Sequence, residues 1–185
     1  MPASARYWTV DDLQGLPDNG NRYEVIDGEL LVTPAPSLIH QRPVLVLCRA
    51  LADYLDREPI GDLVISPADV VFSQRRSVQP DLFVMPLAAG RRPRLFSDVG
   101  RPLLAVEVLS PSTARADRVE KRALFRSEGV DEYWIVDLDA RTIERSTPLD
   151  TRIEVFDDAI EWSPSGASTP LTIDLSNYFR RVLDD

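Results

Sequence analysis

The sequence predicts an α/β domain in which a mixed central β-sheet is flanked by helices. Three observations carry that expectation. The middle of the chain alternates strand-like and helix-like periodicity, while hairpin-forming pairs flank it. One segment, Leu103 to Leu109, is a nearly continuous apolar run, the pattern of a central strand buried on both faces. At 185 residues the chain fits one domain, 1–185, with no linker or internal repeat. Folding it would bury about two-thirds of the surface that the unfolded chain exposes.

The elements follow in order. Thr9 is placed to cap a short helix through Leu16, with Asp11 and Asp12 in its first turn. Arg22 to Asp27 and Glu29 to Thr33 read as two strands joined at Asp27-Gly28, a favoured hairpin turn. Beyond the stop at Pro34 to Pro36, apolar residues recur with helical spacing at Val44, Leu47, Cys48, Leu51 and Leu55. Proline is tolerated in a first turn, so Pro43 sets the expected start near His40. Cys48 lies on the apolar stripe and reads as a small core residue. Strands are expected over Leu63 to Ile65, Asp69 to Ser73 and Asp81 to Met85, then a connection from Pro86 to Arg101. Ser110 to Thr113 supplies turn and capping chemistry for a helix from about Ala114 to Glu128, stopped by Gly129. Tyr133 to Val136 is a strong strand; Arg141 to Arg145 and Ile153 to Phe156 are weaker ones. Leu175 to Val182 closes the chain as a short helix.

Within this pattern a few residues stand out chemically. Lys121 is the only lysine beside twenty arginines. Arginine replaces lysine poorly where a compact, deprotonatable ammonium must sit beside a reacting phosphate or water. Glu107 interrupts the apolar run, where an unpaired carboxylate would cost several kcal/mol or be forced to protonate. A metal ion or a cationic partner resolves the conflict; so does a glutamate at a strand end, tipped into solvent or bonded to backbone. Asp81 opens an apolar strand, on the same side as Phe83 and Met85. Beside Glu107 it makes a pair able to hold magnesium with positions left open for water and phosphate. At about 100° per residue, Asp117, Lys121 and Leu124 share one helix face with Phe125 at its edge. Arg115, Arg118, Arg122 and Arg126 form a separate stripe, either a solvated face or a track for a phosphate backbone. Asp117 and Lys121 also read simply as an i,i+4 ion pair. Glu24, inside a strand, and His40, the single histidine, each read equally as site or structural residues.

Other chemistries are poorly served. One cysteine and one histidine give no zinc spacing, and one cysteine excludes an internal disulfide. There is no G-x-S-x-G elbow and no glycine loop for phosphates.

Taken together, these stretches resemble the Uma-two-type restriction endonuclease family. The resemblance runs through Tyr23-Glu24-Val25-Ile26-Asp27-Gly28-Glu29-Leu30, Pro36-Ser37 with His40, and Gln79-Pro80-Asp81. It continues through Val106 to Thr113 with Asp117 and Lys121, and ends with Gly129 to Asp137. That family is similar to the PD-(D/E)XK nuclease superfamily. The resemblance implies a restriction-endonuclease-like core, with Asp81 and Glu107 as metal ligands. The superfamily usually carries its lysine two residues after the acid, where this chain has Leu109. Lys121, on the following helix, is the lysine available to stand in for it.

The reading is a metal-dependent DNA endonuclease that hydrolyses phosphodiester bonds with Mg2+ or Mn2+. Asp81, Glu107 and the backbone carbonyl of Val108 would hold the metal, Lys121 would position water or neutralise phosphate charge, and Glu24 would assist from the side. The rival is a catalytically weak or inactive nuclease fold acting as a binding or regulatory module. A net charge of −9 tells against nucleic-acid affinity, which comes largely from basic surface. A basic rim of Arg75, Arg76, Arg91, Arg92 and Arg94, or a homodimer, would have to gather positive charge locally. No apolar run approaches the ~20 residues of a membrane helix, and no secretion signal is visible. With one cysteine, these features fit a cytoplasmic protein.

Overall fold

The computed structural model describes residues 7–95 and 100–183; residues 96–99 of the expected 86–101 connection lie outside the described residues. The chain runs α1 (Val10–Leu13), β1 (Arg22–Ile26), β2 (Glu29–Thr33), α2 (Leu38–Arg57), β3 (Gly61–Ile65), β4 (Val70–Ser73), β5 (Arg76–Val78) and β6 (Leu82–Pro86). Then come β7 (Leu104–Val108), a π-helical segment (Ala116–Lys121) running into α3 (Arg122–Ser127), and β8 (Glu132–Asp137). Strands β9 (Thr142–Ser146), β10 (Glu154–Phe156), β11 (Ala159–Trp162) and β12 (Leu171–Asp174) precede α4 (Leu175–Leu183).

Six strands form the central sheet in the order β10-β9-β8-β7-β6-β3. Only β7 and β8 pair in parallel there, so the sheet is mixed, with the π-helical segment and α3 forming the crossover between them. A four-stranded sheet, β2-β1-β5-β4, and the β11-β12 pair complete the fold. All five residues of β7 are buried, as its apolar run requires.

Alternation along β7 divides the core. Leu104, Val106 and Val108 join Trp134 and Val136 against α2 and α4, where Leu47, Leu51, Tyr178 and Phe179 are buried. Ala105 faces the other way, with Phe83, Met85, Tyr133 and Ile135, against Leu124 and Phe125 of α3. Val70 and Val78 bring the four-stranded sheet onto this second face. Glu107 is two residues from Ala105, so it projects toward the same side.

The sequence expectations need correction at several ends. Helix α1 is one turn, closed at its start by a capping box between Thr9 and Asp12, and does not reach Leu16. Ser37 caps α2 by accepting from the His40 amide, so the helix starts at Leu38 and contains Pro43 in its second turn. The carbonyl that Pro43 leaves without a donor belongs to Ile39, a residue 72% exposed, where water can replace the missing amide. Strand β5 was not expected because Arg75-Arg76-Ser77 carries no apolar alternation; β11 and β12, four residues each, were also missed. The Asp27-Gly28 hairpin forms as expected, both residues at positive φ (52° and 86°). A Cβ on Gly28 would stand 2.7 Å from the Tyr7 ring, so that turn needs glycine for space as well as conformation.

Candidate active site

The site grows from the edge of the second core face. Strands β6 and β7 pair antiparallel with Leu82 opposite Val106. Carried one residue further, that register sets Asp81 across from Glu107. Like charges directly opposite in a sheet repel, so something cationic must lie close. Arg22, the first residue of β1, supplies it. Its guanidinium stands 3.1 Å from Asp81 Oδ1 and 4.0 Å from Glu107 Oε2, and donates to the Gln79 carbonyl at 2.9 Å.

The second cation is Lys121. Its Nζ stands 2.7 Å from Glu107 Oε1, 3.1 Å from Glu24 Oε1 and 3.4 Å from Asp117 Oδ1. These groups are almost dry: Glu24 is 0% exposed, Asp117 1%, Glu107 and Lys121 2% and Asp81 3%. The face assigned to the helix from its periodicity is therefore the buried one. Asp117 and Lys121 both lie in the π-helical turn, a device that recurs at functional sites because it re-aims side chains.

The opposite stripe is not simply wet. Arg118 pairs with Asp137 and Glu144, and Arg122 with Glu144, while Arg115 and Arg126 stay exposed. The expected basic rim is also partly committed. Arg76 pairs with Asp27 and Glu128, Arg75 stacks on the Tyr7 ring, and Arg92 stands 3.3 Å from Asp62.

His40 completes the cluster from α2. Its Nε2 is 3.0 Å from Asp81 Oδ2 and 3.0 Å from the Val108 carbonyl. Both partners are acceptors, so Nε2 carries a proton. Asp81 Oδ2 also accepts from the Val108 amide at 2.8 Å, and Glu24 Oε1 from the Gln79 amide at 2.7 Å.

Charge and burial compete at each group. Burial alone would depress the Lys121 ammonium, but Glu107, Glu24 and Asp117 more than reverse it and hold it above its usual value. Those three carboxylates favour the charged ammonium of Lys121. Burial raises the Glu107 carboxyl well above its usual range; Lys121 opposes this, and Asp117, Asp81 and Glu24 reinforce it. Asp117 is raised by burial too, against the pull of Lys121. Asp81 goes the other way: burial would raise it, yet His40, Arg22 and the Val108 amide hold it low. Burial would lower His40, but its own contacts with Asp81 Oδ2 and the Val108 carbonyl raise it.

A pocket of about 240 Å³ borders Arg22, His40, Asp81, Glu107, Val108 and Lys121 together. A second of similar size shares Arg22, His40 and Asp81, with Ala35 and Pro36 of the β2–α2 connection lining both. A wider depression of about 910 Å³ beside Arg118, Arg126 and Arg152 contains none of these buried acids. The buried ionisable groups converge on the smaller space.

The donor chemistry fits a hard divalent cation. Carboxylate and backbone oxygens suit magnesium or manganese. Among the described residues four buried carboxylates face two permanent cations, and Glu24 Oε2 and both Asp117 oxygens lack a hydrogen bond of good geometry. Among the described residues no three His, Cys, Asp or Glu side chains stand together in metal-holding geometry. Arg22, His40 and Lys121 instead lie on the carboxylates.

Asp81, Glu107, Glu24 and Lys121, singled out from sequence, are thus brought together, with Val108 among them. Arg22 was missed. The signal was present: Arg22 and Glu24 are two apart on one strand, so they share a face. His40 joins the cluster through a helix whose start the sequence placed too late.

A family model described as Uma2, "Putative restriction endonuclease", matches residues 10–175. The chain belongs to that family. Its fold is restriction-endonuclease-like: a crystal structure of "a putative nuclease belonging to DUF820" from Anabaena variabilis ATCC 29413 superposes with a TM-score of 0.78. That protein is 23% identical, the match covering 95% of this chain and 99% of that one. No curated protein sequence matches.

Proposed function

We propose that this member of the Uma2 family is a metal-dependent nuclease that hydrolyses phosphodiester bonds in DNA. The observation that carries the proposal is the convergence of Asp81, Glu107 and Lys121 on one pocket. Asp81, Glu107 and the Val108 carbonyl would hold Mg2+ or Mn2+. The ion would supply charge neutralisation at the phosphate and a bound water of lowered pKa. The remaining chemistry belongs to the chain. Lys121 keeps its proton and presents a point charge where negative charge develops on the phosphate; it takes no proton itself. Glu24 and Asp117 hold that ammonium in place, 3.1 and 3.4 Å away. Arg22, lining both pockets, is the group placed to meet an arriving phosphate.

A second reading has its own support. Arg22, His40 and Lys121 already occupy the carboxylates, as they would in a nuclease fold kept for binding or regulation. Incubating the purified protein with plasmid and with single-stranded DNA, with and without Mg2+ or Mn2+, separates the two. The nuclease reading expects cleavage that requires metal and disappears in both Asp81→Asn and Glu107→Gln. Metal-dependent cleavage retained in both variants would point to a contaminant or another site. No cleavage and no metal binding in the wild type would establish the second reading.

A further inference from the structure

His40 has no part in the metal-dependent reading above, yet two contacts hold it inside the site. Its Nε2 stands 3.0 Å from Asp81 Oδ2 and 3.0 Å from the Val108 carbonyl oxygen. Adjacent ligands around an octahedral cation at about 2.1 Å are separated by √2 times that distance, about 3.0 Å. Two edges of a coordination octahedron are therefore already spaced, with a nitrogen at their common corner. The other ring nitrogen, Nδ1, is buried without a hydrogen-bond partner among the described residues.

We propose that His40 Nε2, Asp81 Oδ2 and the Val108 carbonyl are three corners of one cation site. The imidazole then makes the site select manganese, or another first-row cation that binds imidazole, over magnesium. The inference rests on the metal-dependent reading and adds to it a ligand and a preference. Carboxylate and carbonyl oxygens alone accept magnesium readily, whereas an imidazole nitrogen favours the softer first-row ions. On loading, the Nε2 proton is released to water and the Nε2 lone pair binds the cation. Nδ1, with no other partner, is the position where the neutral ring carries its proton.

The test is direct binding on the full chain. Mn2+ and Mg2+ are titrated calorimetrically into wild type, His40→Ala and His40→Gln, with folding checked by circular dichroism. The wild type should bind Mn2+ more tightly than Mg2+. Loss of the imidazole should weaken Mn2+ by about tenfold or more, on the scale by which altered ligand shells change metal affinity, and Mg2+ far less. His40 is the only histidine in the sequence. Electron spin-echo spectroscopy of bound Mn2+ should therefore show one directly coordinated imidazole nitrogen, absent in both variants. Mn2+ bound without nitrogen coupling, or bound equally or more tightly by His40→Ala, overturns the inference while leaving the metal-dependent reading intact. No binding of either ion to the wild type overturns both.

Discussion

Replacing Lys121 by methionine removes the ammonium from three buried carboxylates while keeping a similar volume. Glu107, Glu24 and Asp117 lie 2.7, 3.1 and 3.4 Å from it. Taking away one partner of a buried ion pair costs about 3–5 kcal/mol, because the charge left behind is uncompensated. For a chain of this size, about 2–4 °C of melting temperature accompanies each kcal/mol, so a fall of roughly 6–20 °C is expected. The variant's pH dependence has a definite sign. A carboxyl raised in the fold holds its proton to higher pH than the unfolded chain does, so the fold gains as pH falls through the raised value. The deficit of Lys121→Met should be largest above neutrality and shrink as pH is lowered toward 5. Urea unfolding followed by tryptophan fluorescence, with Trp134 and Trp162 both buried, measures it. Adding Glu107→Gln should recover part of the loss, with a coupling of about 0.5–3 kcal/mol. A deficit below about 1 kcal/mol, or one unchanged between pH 8 and 5, would refute the claim that Lys121 balances these acids.

Glu107→Gln alone should shift stability little, within about 1 kcal/mol or toward higher stability, because burial already disfavours its charge and Lys121 keeps Glu24 and Asp117. Calorimetry should show its Mn2+ binding lost, and a large fall in melting temperature would contradict the reasoning. Far from the site, Glu58 accepts from the amides and hydroxyls of Ser168 and Thr169, which depress its carboxyl to about 2. Its contribution is present above about 4.5, the unfolded value, and is lost as pH falls toward about 2. Acid titration of wild type and Glu58→Gln should therefore converge across that window; curves that stay parallel would exclude this linkage.

The sequence by itself determined the elements whose signals are local. Periodicity placed Asp117, Lys121, Leu124 and Phe125 on one helix face because helical geometry fixes that spacing, and those are the buried residues. The apolar run around Glu107 announced a buried acid because a strand packed on both faces leaves a carboxylate no water. The Asp27-Gly28 turn was legible for a similarly local reason, its positive φ values. Only the tertiary structure decided which cations meet which acids. Arg22 is 59 residues from Asp81, and His40 is 68 from Val108. Their meeting depends on how the four-stranded sheet and α2 pack against β6 and β7. The structure also set the field at Lys121: three carboxylates drawn from β1, β7 and its own π-helical turn favour its charged form. No spacing along the chain reports that field, because Coulomb energy depends on distance through the folded molecule and on the water excluded between the charges.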